Sequence, residues 1–275
     1  MKLEYIIRRT AERLSRGKVI KRHIFVGGRK VSLFVSPDAQ LKYFKFWRNA
    51  FDADLIWLAE TFLEEESNVW DIGANVGVFT FASSAVAHKG TILSVEADIW
   101  LADILRRSAM LKENKNADIR ILPAAISESN SMESFLIAMR GRACNALEEA
   151  GGRSKMGGVR ERQYVPTLTL DTISSSVPKP DFIKIDVESA ELMVLRGAIN
   201  VISSMRPVFY IEVSDNVADE VMRLFHENKY LAFDIQTGAE INQCMSNYLF
   251  IPEEKKKAQQ QLASDHGVYK CRRLR

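Results

Sequence analysis

Apolar positions alternate between strand-like and helix-like patterns from residue 68 onward. Short apolar runs that suit buried strands are followed by segments with apolar residues at helical spacing. This alternation predicts a parallel, doubly wound α/β sheet. The predicted strands are Val69–Ile72, Thr91–Glu96, Ile119–Leu122, Phe182–Asp186, Pro207–Val213, Tyr230–Ile235 and Asn247–Ile251. The predicted helices are Gly77–Ala87, Ile99–Leu111, Ala190–Ser204 and Val217–Asn228.

The last strand is expected to run against the others. Tyr230–Ile235 and Asn247–Ile251 are joined by a short polar stretch that contains Gly238 and no helix. A parallel pair needs a crossover of a dozen or more residues, so these two strands should be antiparallel. We therefore predict an α/β fold with a seven-stranded, mostly parallel sheet and an antiparallel last strand.

The chain divides into three parts on this reading. Residues 1–66 form an N-terminal extension, 67–252 the catalytic domain and 253–275 a basic tail. The extension starts with a basic amphipathic helix over 2–15. A hairpin follows, with strands His23–Val26 and Lys30–Val35 around Gly27-Gly28. A helix then begins after Asp52 or Asp54, either of which can cap it.

An irregular segment interrupts the alternation between Ser129 and Thr169. Met132–Ala138 and Gln163–Thr169 have the pattern of an extra hairpin. Between them, Gly141–Arg162 is rich in Gly, Arg and Ser, and we expect a mobile surface loop.

Composition restricts the class of protein and the cellular compartment that we expect. The net charge is +3, with 47% hydrophobic and 27% charged residues, as in ordinary globular proteins. No apolar run approaches the roughly 18 residues that span a bilayer, and the N-terminus lacks a signal-peptide pattern. Cys144, Cys244 and Cys271 are scattered, which argues against disulfides or zinc and favours a reducing cytoplasm.

The charge is concentrated at the ends of the chain. Residues 1–24 carry eight Lys or Arg against two Glu, and residues 253–275 carry seven against three acids. These basic ends are either solvated or in contact with a membrane surface or another anionic partner.

The motif Asp71-x-Gly73-x-Asn75-x-Gly77 joins the first predicted strand of the sheet to a helix. Ligands of open α/β sheets bind at the carboxyl ends of the strands, and glycines let the backbone approach them closely. The free N–H groups of the helix N-terminus suit a carboxylate, and Asp71 is placed to hold an amino group or to order nearby water. The spacing is neither GxGxxG nor a P-loop, which argues against a dinucleotide and a cradled phosphate.

Two further positions complete a nucleoside-binding pattern. Glu96 ends the next strand, where a carboxylate can accept both hydroxyls of a ribose. Ala125 follows the third strand, where a small residue leaves room for an adenine ring. Glu96 alone does not discriminate, because nicotinamide enzymes share it.

Polar residues crowd the end of the strand Phe182–Asp186. Lys184 and Asp186 are two apart and share one face, and Glu188 and Glu191 follow. Glu212, at the end of the next strand, should lie alongside. Burying such groups costs several kcal/mol unless they are paired, so they form either a structural ion pair or a reactive site.

These motifs together resemble one known family. The chain is similar to FkbM-type methyltransferases over about residues 68–252. The similar motifs are Asp-Ile-Gly-Ala-Asn-Val-Gly-Val-Phe-Thr (71–80), Val-Glu-Ala-Asp (95–98), Pro-Ala-Ala-Ile-Ser (123–127), Thr-Leu-Asp (169–171), Phe-Ile-Lys-Ile-Asp-Val-Glu-Ser-Ala-Glu (182–191), Leu-Arg-Gly-Ala (195–198) and Pro207–Glu212. The resemblance implies the class I methyltransferase, Rossmann-like fold, S-adenosylmethionine as donor and usually an oxygen acceptor on sugars or natural products. The family usually has glycine where this chain has Ser189, which could cap a helix from Ala190 or narrow the acceptor pocket.

We therefore expect an S-adenosylmethionine-dependent O-methyltransferase that acts on a saccharide or a small natural product. The expected catalytic residues are Asp186 or Glu188 as general base and Lys184 as a charge that tunes them. The expected cofactor-binding residues are Asp71, Gly73, Asn75, Gly77, Glu96, Ala125 and Asp186. Asp186 and Glu188 could instead hold a divalent metal, but no third ligand is identifiable and we assign none.

The acceptor is expected under the N-terminal segment and the Gly141–Arg162 loop. The alternatives are a nicotinamide-dependent oxidoreductase and a non-catalytic binding module that uses the basic ends. We do not expect a nucleic-acid substrate, because the core is not basic and no Asn-Pro-Pro-Tyr-type motif follows the fourth strand. The oligomeric state is not determined by the sequence.

Overall fold

The computed structural model describes residues 10–45, 50–151, 156–242 and 247–273. Residues 2–9 of the predicted basic helix lie outside these ranges, and residues 10–14 are helical. Cys244 also lies outside them, while Cys144 is described and half-buried. Within the described ranges, no helix has both the length and the hydropathy of a bilayer span.

The core is a seven-stranded sheet with the order β12-β13-β11-β10-β3-β4-β5. Its strands are β3 (Val69–Ile72), β4 (Thr91–Val95), β5 (Asp118–Leu122), β10 (Phe182–Ile185), β11 (Val208–Glu212), β12 (Tyr230–Phe233) and β13 (Asn247–Pro252). Neighbours are parallel from β11 to β5, and β13 is antiparallel to both β11 and β12. The predicted fold class and antiparallel ending are confirmed, with each strand end within two residues of its expected position.

Helices cover both faces of this sheet, and their apolar sides form two large clusters with the strands. They are α1 (Ala53–Phe62), α2 (Val78–Val86), α3 (Ile99–Ala109), α4 (Leu170–Ser174), α5 (Glu191–Arg196), α6 (Ala218–Glu227) and α7 (Lys256–Arg273). Of the two possible caps for α1, Asp52 is the one used, because its Oδ1 accepts the Asp54 N–H at 3.1 Å. The segment predicted as a basic tail forms α7, whose Leu262 is buried.

The predicted continuous helix Ala190–Ser204 is wrong. The structure has α5 and then a π-helical turn at Val201–Met205. Asp171 causes the break, because its carboxylate accepts the N–H groups of Asn200 and Val201, both at 3.0 Å. These amides are thereby capped by a side chain from outside the helix.

The N-terminal extension packs directly on the core. Its hairpin, β1 (Ile20–Val26) with β2 (Arg29–Val35), turns at Gly27-Gly28 as predicted. Val31 and Leu33 are buried in the same apolar cluster as the inner side of α3. Two hydrogen bonds fix the contact. The Phe34 N–H donates to Ser108 Oγ at 2.8 Å, and Asn114 Nδ2 donates to Ser32 O at 2.6 Å in the interior. The boundary at residue 66 stays a prediction.

The segment between the third and fourth sheet strands forms a second, four-stranded sheet with the order β6-β9-β7-β8. Its strands are β6 (Ala125–Ile126), β7 (Ser131–Ala138), β8 (Ala146–Leu147) and β9 (Val159–Leu168). The pairing of β7 with β9 confirms the predicted extra hairpin. The expected surface loop Gly141–Arg162 is wrong for its described part, because Ala146, Leu147 and Met156 are buried and β8 pairs with β7.

Candidate active site

A cavity of about 190 Å³ opens at the carboxyl ends of β3, β4 and β10. Its floor comes from the loops that follow these strands, as expected for an open α/β sheet. Of the residues predicted for the site, Gly73, Asn75, Glu96, Ala125, Asp186 and Glu188 line it. Asp71, Gly77 and Lys184 do not.

The glycine loop, residues 71–77, needs glycine at two positions because neighbouring atoms leave no room there for a Cβ. Gly73 has φ of 73°, and a Cβ there would lie 2.0 Å from the carbonyl oxygen of Asp186. Gly77 has φ of 87°, and its Cβ would lie 2.5 Å from the side chain of Leu105 in α3. Gly73 therefore brings the loop against β10, whereas Gly77 serves helix packing rather than ligand contact.

Asn75 presents an unsatisfied acceptor at the cavity. It sits in the left-handed region with φ of 53°, and its backbone N–H donates to Glu96 Oε2 at 2.7 Å. Its Oδ1 is buried and has no hydrogen-bond partner among the described residues. An unpaired buried oxygen costs about 1–3 kcal/mol, so this position suits a ligand that donates, such as an ammonium group. This acceptor thus fits the ammonium group at the amino-acid end of S-adenosylmethionine.

Glu96 lies next to a small apolar slot. Burial raises the pKa of its carboxyl to about 7, and the donated backbone N–H groups of Asp98 and Asn75 only partly oppose this. Ala97, Ala125, Phe135 and Leu147 form one apolar cluster beside it. A carboxylate next to flat apolar walls fits a ribose and its attached base.

Lys184 ties the glycine loop to β10 from below the cavity. Its Nζ donates to Gly73 O at 2.8 Å and lies 3.1 Å from Asp71 Oδ1 and 3.4 Å from Asp186 Oδ2. Asp71 also accepts a hydrogen bond from Thr80 at 2.6 Å. Burial alone would lower the pKa of Lys184, but the two carboxylates outweigh it and raise that pKa above its ordinary value. Asp71 and Lys184 therefore stabilise the loop and orient Asp186 rather than face a ligand.

Carboxylates make up another part of the cavity lining. Asp186, Glu188 and Glu212 all line it, and the side chain of Asp186 is 42% exposed. Glu191 is turned away, with only 3% exposure and a hydrogen bond from Ser214 Oγ at 3.2 Å. Across the described ranges, no group of three or more His, Cys, Asp or Glu side chains is arranged to hold a metal ion.

The helix-capping role predicted for Ser189 is wrong. Ser189 has φ of 65°, in the left-handed region, and α5 begins after Ala190 without a side-chain cap. Its backbone N–H donates instead to Glu191 Oε1 at 3.1 Å. Left-handed backbone favours glycine, which explains why glycine is the usual family residue here.

Several cavity residues carried no sequence signal. Gln40 comes from the N-terminal extension, and Arg142 and Asn145 from the segment expected as a surface loop. They lie far from the motifs along the chain and reach the cavity only through tertiary packing. The one available hint is the apolar pair Ala146-Leu147, which indicated burial inside that segment.

Comparison with known proteins gives one family match. A family model described as Methyltransferase FkbM domain matches residues 71–232. Hexuronic acid methyltransferase AglP of Haloferax volcanii is 28% identical over 182 residues, which cover 65% of this chain and 69% of that protein. The range matched by the family model, residues 71–232, contains every predicted site residue of the chain.

Solved structures resemble the fold more distantly. Methyltransferase FkbM from Methylobacillus flagellatus has a TM-score of 0.44 and 16% identity, covering 74% of this chain and 46% of that chain. TYW2 from M. jannaschii, solved in complex with AdoMet, has a TM-score of 0.41 and 12% identity, covering 85% and 84%. This chain thus spans less than half of the Methylobacillus protein.

Proposed function

The chain belongs to the FkbM methyltransferase family, its cofactor is S-adenosylmethionine, and on that premise we propose that it methylates a hydroxyl group of a saccharide or a small natural product. The observation that carries this proposal is the shared cavity. Its lining includes a glycine loop with an unpaired acceptor, Glu96 and three further carboxylates. One cavity therefore offers residues that can hold the methyl donor and carboxylates that can accept a proton.

The residues have separate tasks in this proposal. Asn75 holds the amino-acid end of the cofactor through its Oδ1, which has no hydrogen-bond partner among the described residues, and Glu96 holds the ribose. When bound, S-adenosylmethionine supplies an electrophilic methyl group on a positive sulfur. The chain mainly aligns the acceptor and excludes water.

A hydroxyl acceptor must lose a proton during transfer, and the cavity carboxylates supply the base. Asp186 is the first candidate, because it follows β10 directly and Gly73 packs against its backbone. Glu188 is the second candidate. Lys184, 3.4 Å from Asp186 Oδ2, fixes the position of that carboxylate and is a positioning residue.

The acceptor class is proposed from the carboxylates that line the cavity and from the similar protein AglP. AglP of Haloferax volcanii is named for action on a hexuronic acid, which supports a sugar acceptor here. Gln40 would contribute from the extension, since it lines the cavity and its Oε1 is buried without a hydrogen-bond partner in the described part of the chain. Family membership favours methyl transfer over the nicotinamide alternative.

The remaining partner assignments stay predictions. A cytoplasmic location rests on the three scattered cysteines, and contact with anionic surfaces rests on the basic ends. The exclusion of nucleic acid rests on the charge of the core.

Turnover with a chemically mixed acceptor panel tests the proposal. The purified chain is incubated with S-adenosylmethionine and neutral glycosides, hexuronic acids, a phenolic natural product or transfer RNA. Formation of S-adenosylhomocysteine is followed, and NMR locates the new methyl group. We expect an O-methylated sugar or small hydroxyl compound, whereas methylation of RNA alone would overturn the acceptor assignment. Binding of NAD without binding of S-adenosylmethionine would overturn the reaction class.

Substitution of the proposed base separates chemistry from binding. Asp186→Asn should lose turnover by about a hundredfold or more, the typical contribution of a general base, while its Kd for S-adenosylhomocysteine stays near that of the unmodified chain. Asp103→Asn, on the outer face of α3 and exposed, is the matched control and should keep full activity. Full activity of Asp186→Asn would remove Asp186 from the mechanism, and turnover by no acceptor would favour a non-catalytic module.

A further inference from the structure

Two arginines and two aspartates form a buried ionic network beside the cavity, which we call the arginine latch: Asp38, Asp98, Arg142 and Arg160. Arg142 Nη1 lies 2.5 Å from Asp98 Oδ2, and Arg142 Nε lies 3.3 Å from Asp38 Oδ2. Arg160 Nη1 lies 3.0 Å from Asp38 Oδ1. The side chains of Asp98, Asp38 and Arg142 are 0%, 5% and 11% exposed, so solvent and salt screen these pairs weakly.

The latch joins four segments of the chain, one of which is β9, where Arg160 lies. Asp38 belongs to the N-terminal extension, Asp98 precedes α3, and Arg142 belongs to the segment between β7 and β8. Backbone contacts reinforce it, because Arg142 N–H donates to Asp38 O at 2.9 Å. The Asn145 side chain donates to Asp98 Oδ2 at 2.8 Å. The guanidinium of Arg142 also stacks on the Trp100 ring, 4.6 Å from its centroid.

The segment that the latch holds, residues 141–147, forms one wall of the cavity. Arg142, Ala143, Asn145, Ala146 and Leu147 all line it. Leu147 pairs with Phe135 across β7 and β8, and both side chains belong to the apolar cluster beside Glu96. This wall therefore belongs to the apolar surroundings of Glu96, which the proposed function assigns to the nucleoside.

The latch is also bonded to Glu96 itself. The backbone N–H of Asp98 donates to Glu96 Oε1 at 2.8 Å, while the Asp98 side chain accepts from Trp100 N–H at 3.0 Å and from Arg142. Asp98 thus couples the carboxylate assigned to the ribose to the position of the 141–147 wall. A shift of Arg142 would move the wall and loosen this junction.

We propose that the arginine latch is a positioning device that holds residues 141–147 against the adenosine half of bound S-adenosylmethionine. The proposal rests on the assignment of Glu96 to the ribose in the proposed function. A buried ion pair adds little net stability, and in some proteins its role is to select one packing arrangement. Without the latch, residues 141–147 adopt several arrangements, of which the one in the structure, here called closed, is only a fraction. The apparent Kd for the cofactor then rises by the inverse of that fraction.

Calorimetric titration of Arg142→Met with S-adenosylhomocysteine tests the latch and requires no acceptor. A wall that is closed for only about 1–10% of the time raises Kd about tenfold to a hundredfold. The matched control is Arg162→Met, which removes an exposed arginine that pairs with Glu148 on the same small sheet. We expect that control to bind within about twofold of the unmodified chain. Arg142→Lys keeps the charge but cannot bridge two carboxylates, so its Kd should fall between the two.

A fragment distinguishes a local effect from general loosening. 5′-Methylthioadenosine, which lacks the amino-acid end, should lose affinity for Arg142→Met by the same factor as S-adenosylhomocysteine. Loss of affinity for S-adenosylhomocysteine alone would place the latch at the methionine half and overturn the proposal. Binding of both probes within twofold of the unmodified chain by folded Arg142→Met would overturn it too.

Asp38→Asn decides the question if Arg142→Met does not fold. This variant preserves side-chain shape and the pair of Arg142 with Asp98, so we expect a threefold to tenfold rise in both Kd values with an unchanged circular dichroism spectrum. Unchanged Kd values in Asp38→Asn would then overturn the latch. If the unmodified chain binds the probes but methylates no sugar, the proposed acceptor fails while the latch is still decided by these titrations.

Discussion

Replacing Lys184 by methionine should destabilise the protein far more than the loss of an ordinary lysine. Lys184 is 4% exposed and lies between Asp71, which is fully buried, and Asp186. Methionine matches the length of the lysine stem but carries no charge and no N–H donor. The variant therefore leaves the Asp71 carboxylate in the protein interior with Thr80 as its remaining hydrogen-bond donor in the described structure.

The magnitude follows from the two separations. At 3.1 Å, with an effective dielectric constant of about 20, the attraction between Lys184 and the buried Asp71 is worth about 5 kcal/mol before desolvation. The attraction to Asp186, at 3.4 Å, is weaker because the Asp186 side chain is 42% exposed and solvent screens it. Burial of the ions offsets several kcal/mol of this, and removing one partner of a buried pair typically costs about 3–5 kcal/mol. Because a domain is stable by only about 5–15 kcal/mol, the loss is a large share of the total.

Urea denaturation followed by circular dichroism measures this loss. The midpoint should fall while the slope with urea stays constant. Lys89→Met is the matched control, because Lys89 pairs with Glu65 and Glu66 on the exposed surface, and its midpoint should not change. The double variant Lys184→Met, Asp71→Asn removes both buried charges and should recover at least half of the lost stability.

A loss below about 1 kcal/mol in Lys184→Met would refute the reasoning, because it would equal the value of an exposed pair. Failure of the double variant to recover stability would refute the assignment of the loss to Asp71. In that case Gly73 O, which accepts from the Lys184 ammonium at 2.8 Å, would be the contact that matters.

Two further predictions concern Glu96 and Ser189. Because the pKa of Glu96 is raised to about 7, its ionised form, which accepts ribose hydroxyls, grows as pH rises from about 6 to about 8. Affinity for S-adenosylhomocysteine should therefore increase over this range in calorimetry, and a flat profile, as we expect for Glu96→Gln, would contradict the role. Ser189→Gly should raise the free energy of unfolding by about 0.5–1 kcal/mol, because relief of left-handed strain exceeds the entropy cost of glycine. A lower urea midpoint would show that the serine hydroxyl makes a compensating contact.

The order of strands and helices could be read from the sequence because it depends on local periodicity. Apolar runs of strand length and amphipathic helical spacing are properties of neighbouring residues. The antiparallel ending followed from a connection too short for a crossover. Where a distant residue competes for backbone amides, as Asp171 does after Gly197, local pattern gave a continuous helix that the structure divides.

The floor of the site could likewise be anticipated, because its residues follow strands within short motifs. Gly73, Asn75, Glu96, Asp186 and Glu188 all reach the cavity. Their environments could not be anticipated in the same way. The close packing of Gly73 against the Asp186 backbone does not follow from residue type, and neither does the left-handed backbone of Ser189. Both depend on how β10 and the glycine loop meet.

The sequence by itself determined the α/β class, the succession of strands along the chain, the family resemblance and the position of the cofactor loop. Only the tertiary structure decided which polar residues face the cavity and which lie behind it, as Lys184 and Asp71 do. It also brought Asp38, Asp98 and Arg142 together, although 104 positions separate Asp38 from Arg142. The physical reason is range: periodicity and turn chemistry act over a few residues, whereas an ionic network or a cavity wall exists only after distant segments have packed.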